Sequence, residues 1–200
     1  MSSPTPEVRI RRMGADDLGR VMEIAGSLEE APRWLASSYA AAMDPLHTPR
    51  RIALVAELEP QERASGAKAP VDSAELNVRA EARTLHRASV SAAFQGEGIG
   101  SANGRVVGFA VAGLMAPEAE LETIAVVAEA QRRGVGGRLL RALVEELRAE
   151  QVTELILEVR ASNRKAQGFY RAQGFKETGR RPGYYADPEE DAVLMGLNLA

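Results

Sequence analysis

The sequence predicts an α/β fold built on one mixed sheet. Strand-like and helix-like segments alternate through the second half of the chain. A glycine-rich turn at residues 131–137 stands between an apolar run and a strongly periodic helix. The chain has 200 residues, which suits a single domain with a sizeable core.

Two strands and two helices are expected before residue 59. Val8 to Met13 and Arg51 to Leu58 are the strand candidates. Asp16 is the expected cap of a first helix with an apolar stripe from Leu18 to Leu28. A second helical stretch begins at Trp34 and ends before Pro45.

Residues 59–103 are expected to form a flexible or partly ordered, low-complexity insertion. The segment is rich in Ala, Ser, Glu, Arg and Gly and poor in large apolar residues. It is too long for an ordinary hairpin loop. A helical piece is expected near residues 72–87.

The remaining elements follow in a clear order. The strand candidates are Arg105 to Met115, Leu121 to Val127, Val152 to Arg160, Phe175 to Arg180 and Ala192 to Leu199. Helices are expected from Arg138 to Glu150 and from Asn163 to Gln173, with Gly174 ending the second. In the strand before Asn163, Leu155, Leu157 and Val159 share one face, and Glu154, Ile156 and Glu158 share the other.

Composition excludes several classes of protein. A net charge of −3 gives no overall basicity, so we expect no direct binding of nucleic acid. The absence of cysteine excludes disulfides, thiolate nucleophiles and cysteine-based zinc sites. No apolar run approaches the ~20 residues that span a bilayer, and the N-terminus lacks the pattern of a secretory signal. We therefore expect a cytoplasmic protein with no metal and no membrane partner.

The glycine-rich turn Gln131-Arg132-Arg133-Gly134-Val135-Gly136-Gly137 predicts an anion-binding site. A glycine turn that opens a helix presents free backbone N–H groups and the positive end of the helix dipole, which suits a phosphate or pyrophosphate. The turn lacks the Lys-Ser/Thr ending of a P-loop. It also lacks the third glycine of a dinucleotide fingerprint, since Leu139 occupies that position.

The turn fits the pattern Q/R-x-x-G-x-G/A, which resembles the acetyl-CoA loop of the GNAT acetyltransferases. The same pattern occurs at 95–100, but Ser-Ala-Asn-Gly follows it in place of a periodic helix. The copy at 131–137 is followed by an apolar helical stripe formed by Leu139, Leu140, Leu143, Val144 and Leu147. Only the copy at 131–137 is expected to direct a helix N-terminus at a ligand.

Further motifs resemble the RimI-type branch of that family, the bacterial ribosomal-protein-alanine N-acetyltransferases. They are the segments 123–126, 157–163, 168–170, 174–175, 179–181, 184–185 and 190–195. The resemblance is dense from Arg105 to Leu199, loose from Val8 to Leu58 and absent from 59–103. It implies the GNAT fold, a mixed and mostly antiparallel sheet flanked by helices. It also implies direct acetyl transfer from acetyl-CoA to the α-amine of a protein N-terminus, with the N-terminal alanine of a small-subunit ribosomal protein as the expected acceptor.

The resemblance gives Glu158 the role of general base and Tyr170 the role of general acid. An α-ammonium must lose a proton before it attacks, and a nearby carboxylate can take that proton. Glu158 is expected at the carboxyl end of its strand, the usual ligand edge of an α/β sheet. A solvated surface carboxylate and a core aromatic residue are the alternatives for the two positions; of Phe169 and Tyr170, we expect Phe169 to face the core.

The resemblance also implies the acetyl-CoA contacts. The backbone of Ile124, Ala125 and Val126 is expected to bind the pantetheine arm. The pyrophosphate is expected on the segment formed by Arg132, Arg133, Gly134, Val135, Gly136 and Gly137. Asn163 is expected to hydrogen-bond the pantetheine, with a plain helix N-cap as the alternative.

Acceptor contacts are expected from Tyr184 and Tyr185, in the loop before the last strand, and from Glu122 as a second base candidate. An acetyltransferase of the same fold that acts on lysine or a small amine is an open alternative. A non-catalytic acyl-CoA-binding module is another.

Overall fold

The computed structural model describes residues 7–28, 34–59 and 105–200. Three expected features lie outside the described residues: the insertion beyond Glu59, its helical piece and the copy of the glycine pattern at 95–100.

One seven-stranded sheet in the order β1-β2-β3-β4-β5-β7-β6 organises the molecule. Its strands are Val8–Arg12, Arg51–Leu58, Arg105–Met115, Glu118–Val126, Glu154–Arg160, Lys176–Ala186 and Glu189–Asn198, numbered β1 to β7. β4 and β5 run parallel, and every other neighbouring pair is antiparallel. The expectation of a mixed, mostly antiparallel α/β sheet is confirmed.

Four α-helices accompany the sheet in the described ranges: Leu18–Gly26, Ala36–Met43, Val135–Ala149 and Arg164–Ala172, numbered α1 to α4. Short 3-10 turns at Ala15–Asp17 and Ala128–Ala130 precede α1 and α3. None of the helices in these ranges has the length and apolar character needed to cross a membrane.

The core lies along β2, β3 and α3. Both central strands are buried on consecutive residues, so both faces of the sheet are covered there. The predicted stripe on α3 is confirmed, because Leu139, Leu140, Leu143 and Leu147 are each at most 2% exposed. Burial of that stripe fixes α3 against β2, β3 and β4, and so fixes the position of its N-terminus.

Helix α3 begins at Val135, three residues before the expected start. Large apolar residues made the periodicity visible only from Leu139, and glycines are poor helix formers. The first turn forms nevertheless, with the Arg138 N–H donating to the Gly134 carbonyl at 3.0 Å and the side chain of Val135 buried. Residues 135–137 therefore form the first turn of the helix and are not a loop.

The cap assigned to Asp16 is wrong. The carboxylate that organises this turn belongs to Asp17, which is 7% exposed. It accepts the Gly14 N–H at 2.8 Å and two hydrogen bonds from Arg11 at 2.6 and 2.8 Å. Burial alone would raise the pKa of Asp17, but these hydrogen bonds outweigh it and hold the pKa below its usual value.

The expected loop around Tyr184 and Tyr185 is also wrong, because both residues belong to β6. Pairing with β7 jumps from Arg181 to Tyr185, and Gly183 at φ +59° lies in the intervening bulge. An edge strand tolerates the proline and glycine that signalled a loop.

We expect Asp17→Asn to lower the free energy of unfolding by about 2 kcal/mol at pH 7, because a charged acceptor of three hydrogen bonds is lost. Asp16→Asn, on the exposed neighbour, is the control and should change it by less than about 0.5 kcal/mol. Urea unfolding measures both.

The sign of the pH dependence follows from the lowered pKa of Asp17. Its contribution is present above the unfolded pKa of about 3.9 and is lost as pH falls through the folded value. The difference between the wild type and Asp17→Asn should therefore shrink below about pH 4. Equal losses in the two variants would contradict the assignment.

Candidate active site

The parallel strands β4 and β5 diverge. They pair at three positions, from Glu118↔Glu154 to Glu120↔Ile156. Beyond these, β4 continues to Val126 beside β3, and β5 continues to Arg160 beside β7, with no pairing between them. The edge of β4 that faces the opening has no strand partner there, so an extended ligand can lie along it as an added strand does.

A bulge in β4 lies at the start of this opening. Pairing with β3 changes from Ala112↔Leu121 to Val111↔Thr123, which leaves Glu122 as the extra residue. Bulges commonly re-aim a side chain next to a functional site. The space for Glu122 comes from Gly113, where a Cβ would lie 3.1 Å from the Glu122 Oε1 atom.

The first turn of α3 follows directly from the end of β4. Gly134 adopts φ +80°, which a glycine enters without strain, and it supplies no side-chain cap. The first N–H groups of a helix have no intrahelical partner, so those of 135–137 carry the positive end of the dipole. Arg132 and Arg133 beside them are exposed. This arrangement fits a phosphate, as the sequence predicts.

Helix α4 borders the same opening. Asn163 Oδ1 accepts the Ala166 N–H at 2.9 Å, so the plain N-cap reading holds for that oxygen. Gln131 donates to the Val126 carbonyl at 2.9 Å and accepts from the Lys165 ammonium at 2.7 Å. Gln131 thus links the end of β4 to the first turn of α4.

Tyr170 lies on α4 with its ring against Phe169 and Phe175, at centroid distances of 5.3 and 5.6 Å. Burial, with a smaller contribution from Tyr185, raises the pKa of Tyr170 to about 12. Phe169 packs against the core as expected, and Tyr170 packs against it as well, with both side chains half-buried. The fully buried residue of this helix is Gln167, whose amide donates to two carbonyls at 3.0 Å.

Glu158 lies near the carboxyl end of β5, as expected, on the half-buried face of the strand. Its carboxylate forms an ion pair with Arg181 Nη1 at 2.6 Å, and the Glu158 side chain is 18% exposed. A hydrogen bond with Glu158 and the charge of that carboxylate raise the pKa of Tyr184. The Glu158 carboxylate is therefore ion-paired and mostly enclosed, which excludes its interpretation as a freely solvated carboxylate at the end of a strand.

Tyr185 extends the same group of side chains towards α4. Arg160 lies over its ring at 4.2 Å, and the rings of Tyr184 and Tyr185 are 5.2 Å apart. Burial, followed by the charge of Glu158, raises the pKa of Tyr185. Glu158, Tyr184, Tyr185 and Tyr170 are thus neighbours, although they come from three elements.

Glu122 is brought to an adjoining pocket, where Arg51 Nε binds it at 2.8 and 3.1 Å. The pocket has a volume of about 390 Å³ and is lined by Trp34, Ser38, Arg51, Glu120 and Glu122. Glu120 and Arg51, which line this pocket, and Arg181, which binds Glu158, were given no role from sequence. The spacing of Glu120, two residues before Glu122 on one strand, was an available signal, whereas the two arginines pair across the fold.

Known proteins resemble this chain in sequence. Residues 101–175 match the model of the acetyltransferase (GNAT) family. A [ribosomal protein bS18]-alanine N-acetyltransferase of Escherichia coli (strain K12) is 42% identical over 100 residues, which are 49% of this chain and 68% of that protein. The corresponding enzyme of Salmonella typhimurium is 42% identical over 102 residues, 50% of this chain and 69% of its own.

The chain belongs to the GNAT acetyltransferase family. The resemblance inferred from the motifs is confirmed, and the protein is an acetyl-CoA-dependent N-acetyltransferase.

Solved structures share the fold of this GNAT acetyltransferase. The crystal structure of the Escherichia coli ribosomal-protein-S18-alanine N-acetyltransferase superposes with a TM-score of 0.64 at 25% identity, over 97% of this chain and 95% of that one. A Salmonella typhimurium protein solved with acetyl-CoA as its cofactor has a TM-score of 0.64 at 16% identity, over 97% and 95% of the two chains. The second likeness concerns the fold alone.

We expect Gly134→Ala to weaken acetyl-CoA binding about tenfold, because a Cβ at positive φ costs ~1–2 kcal/mol and turns the N–H groups away. Gly19→Ala in α1 is the matched control, since both glycines have nothing within 4 Å of an added Cβ and only Gly134 has a positive φ. Calorimetric titration with acetyl-CoA measures both, and equal affinities would contradict the role of the turn.

Proposed function

We propose that this GNAT acetyltransferase acetylates the α-amine of a protein N-terminus, with the N-terminal alanine of a ribosomal protein as its acceptor. The observation that carries the chemistry is the placement of Glu158 beside the opening between β4 and β5. The acceptor follows from the relatives at 42% identity, which are named for alanine acetylation on ribosomal protein bS18.

A single GNAT domain spanning residues 1–200, with an insertion at about 59–103, is the organisation we propose. The superposition with the Escherichia coli enzyme extends over 97% of this chain, which supports one domain.

Acetyl-CoA binds, in this proposal, along the open edge of β4 and onto the first turn of α3. The backbone of residues 124–126 hydrogen-bonds the pantetheine arm, and Asn163 borders it from α4. The N–H groups of residues 134–137, with Arg132 and Arg133, hold the pyrophosphate, because dipole and charge act there in the same direction. Bound in this way, acetyl-CoA supplies the acetyl thioester at the bulge.

The α-amine reaches the thioester from the side of Glu158. At neutral pH much of an α-amine is protonated, since its reference pKa is about 7.7–8.0. Glu158 is the base that takes a proton from the ammonium, directly or through water. Tyr184 and Tyr185 flank the approach and position the peptide through their rings.

Tyr170 acts at the departing sulfur. Its pKa of about 12 keeps the hydroxyl protonated throughout the physiological range. The hydroxyl therefore remains a donor to the thiolate that leaves, while the packed rings of Phe169 and Phe175 hold its position.

We expect Glu158→Gln to lower kcat/KM for an alanine-starting peptide by at least about 100-fold, and Tyr170→Phe by about 10- to 100-fold. Matched controls are Glu154→Gln, on the same face of β5, and Tyr39→Phe, which removes a buried hydroxyl without a hydrogen-bond partner among the described residues. Both controls should stay within about threefold of the wild type.

Peptides with a free or a blocked N-terminus separate the acceptor classes. Blocking the α-amine should abolish transfer if the acceptor is an N-terminus, and should leave it unchanged if the acceptor is a lysine. Near-wild-type rates in both Glu158→Gln and Tyr170→Phe would overturn the assigned roles.

A further inference from the structure

The edge strand β6 supplies a cation to Glu158 across the intervening strand β7. Leu194 of β7 pairs with Glu158 on one side and with Gly179 of β6 on the other. Arg181, two residues beyond Gly179, therefore projects from the same face of the sheet as Glu158. Its Nη1 atom lies 2.6 Å from Glu158 Oε1, although more than half of the Arg181 side chain is exposed. Such an exposed pair contributes little to stability, so its main effect is on the position of the carboxylate.

A bulge in β6 brings a second side chain to the same carboxylate. Pairing with β7 jumps from Arg181 to Tyr185, so residues 182–184 lie opposite a single residue of β7. In a regular strand, residues three apart project from opposite faces. Here the Arg181 guanidinium lies 5.4 Å from the ring centroid of Tyr184, and a hydrogen bond with Glu158 raises the pKa of Tyr184. The bulge therefore turns Tyr184 to the side on which Arg181 meets Glu158.

Asp191 of β7 ties this bulge to the end of β5. Its Oδ1 atom accepts the Gly183 N–H at 2.9 Å, and its backbone carbonyl accepts the Ala161 N–H at 3.0 Å. Gly183 has φ +59°, a conformation that a side chain would strain. Ala161 directly follows β5 and is three residues beyond Glu158. One residue thus connects the strand of the proposed base with the strand that carries its partners.

We propose that the β6 bulge, residues 182–184, positions the general base. Arg181 and Tyr184 hold the Glu158 carboxylate in the orientation in which it meets the acceptor ammonium, and Asp191 holds the bulge that brings them there. A glutamate side chain has several rotamers, and contacts that select one of them remove the cost of ordering it during the reaction. All three are positioning residues, because they act through Glu158. The inference rests on the proposed role of Glu158 as the base and not on the identity of the acceptor.

Arg181→Met and Tyr184→Phe test the two contacts. We expect each to lower kcat about tenfold and to leave KM for an alanine-starting peptide within about threefold, because the base is misplaced while the acceptor contacts remain. Arg181→Lys keeps a cation and should recover most of the loss. Arg180→Met is the matched control and should follow the wild type, since Arg180 is similarly exposed, at 51% against 55%, and pairs with Glu177.

The Glu158→Gln background shows whether Arg181 acts through the carboxylate. Independent losses of about 100-fold and about tenfold would multiply to about 1000-fold. If Arg181 acts through Glu158, the double variant should lie within about threefold of Glu158→Gln alone. A further tenfold loss in the double variant would mean that Arg181 acts elsewhere, and would overturn its positioning role.

Asp191 is tested by two substitutions that differ in one property. Asp191→Ala should lower kcat by at least the factor found for Arg181→Met, because both contacts depend on the bulge. Asp191→Asn still offers an oxygen to the Gly183 N–H and should retain at least about a third of the wild-type kcat. Glu189→Ala, on an exposed residue of the same strand, is the control. If Asp191→Ala fails to fold, Gly183→Ala disturbs the same bulge on the exposed edge strand and should give the same loss.

The outcomes separate this inference from the proposed function. An impaired Glu158→Gln beside wild-type rates in Arg181→Met and Asp191→Ala overturns the positioning role and leaves the base in place. A raised KM with unchanged kcat in Arg181→Met would show contact with the peptide, which also overturns that role. A wild-type rate in Glu158→Gln overturns the base and the positioning role together. Transfer to lysine in place of an N-terminus overturns the acceptor alone, and the same ratios are then measured on that amine.

Discussion

The separation of β4 from β5 is the constraint on which the rest of the site depends. Backbone N–H and C=O groups along a strand must find partners, and a sheet normally supplies them on both edges. Here the pairing stops after Glu120↔Ile156, while β4 remains held by β3 and β5 by β7. The sheet therefore stays intact on either side of an opening, and the open edge of β4 is available to an extended ligand. The buried stripe of α3 fixes the helix N-terminus at the far end of that opening.

The carboxylates beside the opening differ in the cations that lie against them. Arg51 forms an ion pair with Glu122 at 2.8 Å, and Arg181 forms one with Glu158 at 2.6 Å. Glu120 lies between them without a cation in the described part of the chain, and its pKa is raised. The two arginines come from different strands, Arg51 from β2 and Arg181 from β6.

Much of the fold could be predicted from the sequence because its signals are local. The stripe of α3, the alternation along β5 and the Asn163 cap each depend on residues within one or two turns of chain. The start of α3 could not be predicted in that way, since burial of Val135 and the hydrogen bond from Arg138 to the Gly134 carbonyl override the low helix propensity of glycine. The pairing of Arg51 with Glu122 joins positions 71 residues apart, and only the sheet brings them together. Burial and the charge of Glu158, on another strand, raise the pKa of Glu120, and the sequence does not show that these two residues come together.

Amide hydrogen exchange with and without acetyl-CoA tests most directly whether the opening receives the cosubstrate. We expect acetyl-CoA to slow exchange in two segments, residues 122–126 on the open edge of β4 and residues 134–137 at the start of α3. Slower exchange in both, with no change in β1, would support the site. Unchanged exchange in both segments at saturating acetyl-CoA, or protection confined to another part of the chain, would contradict it.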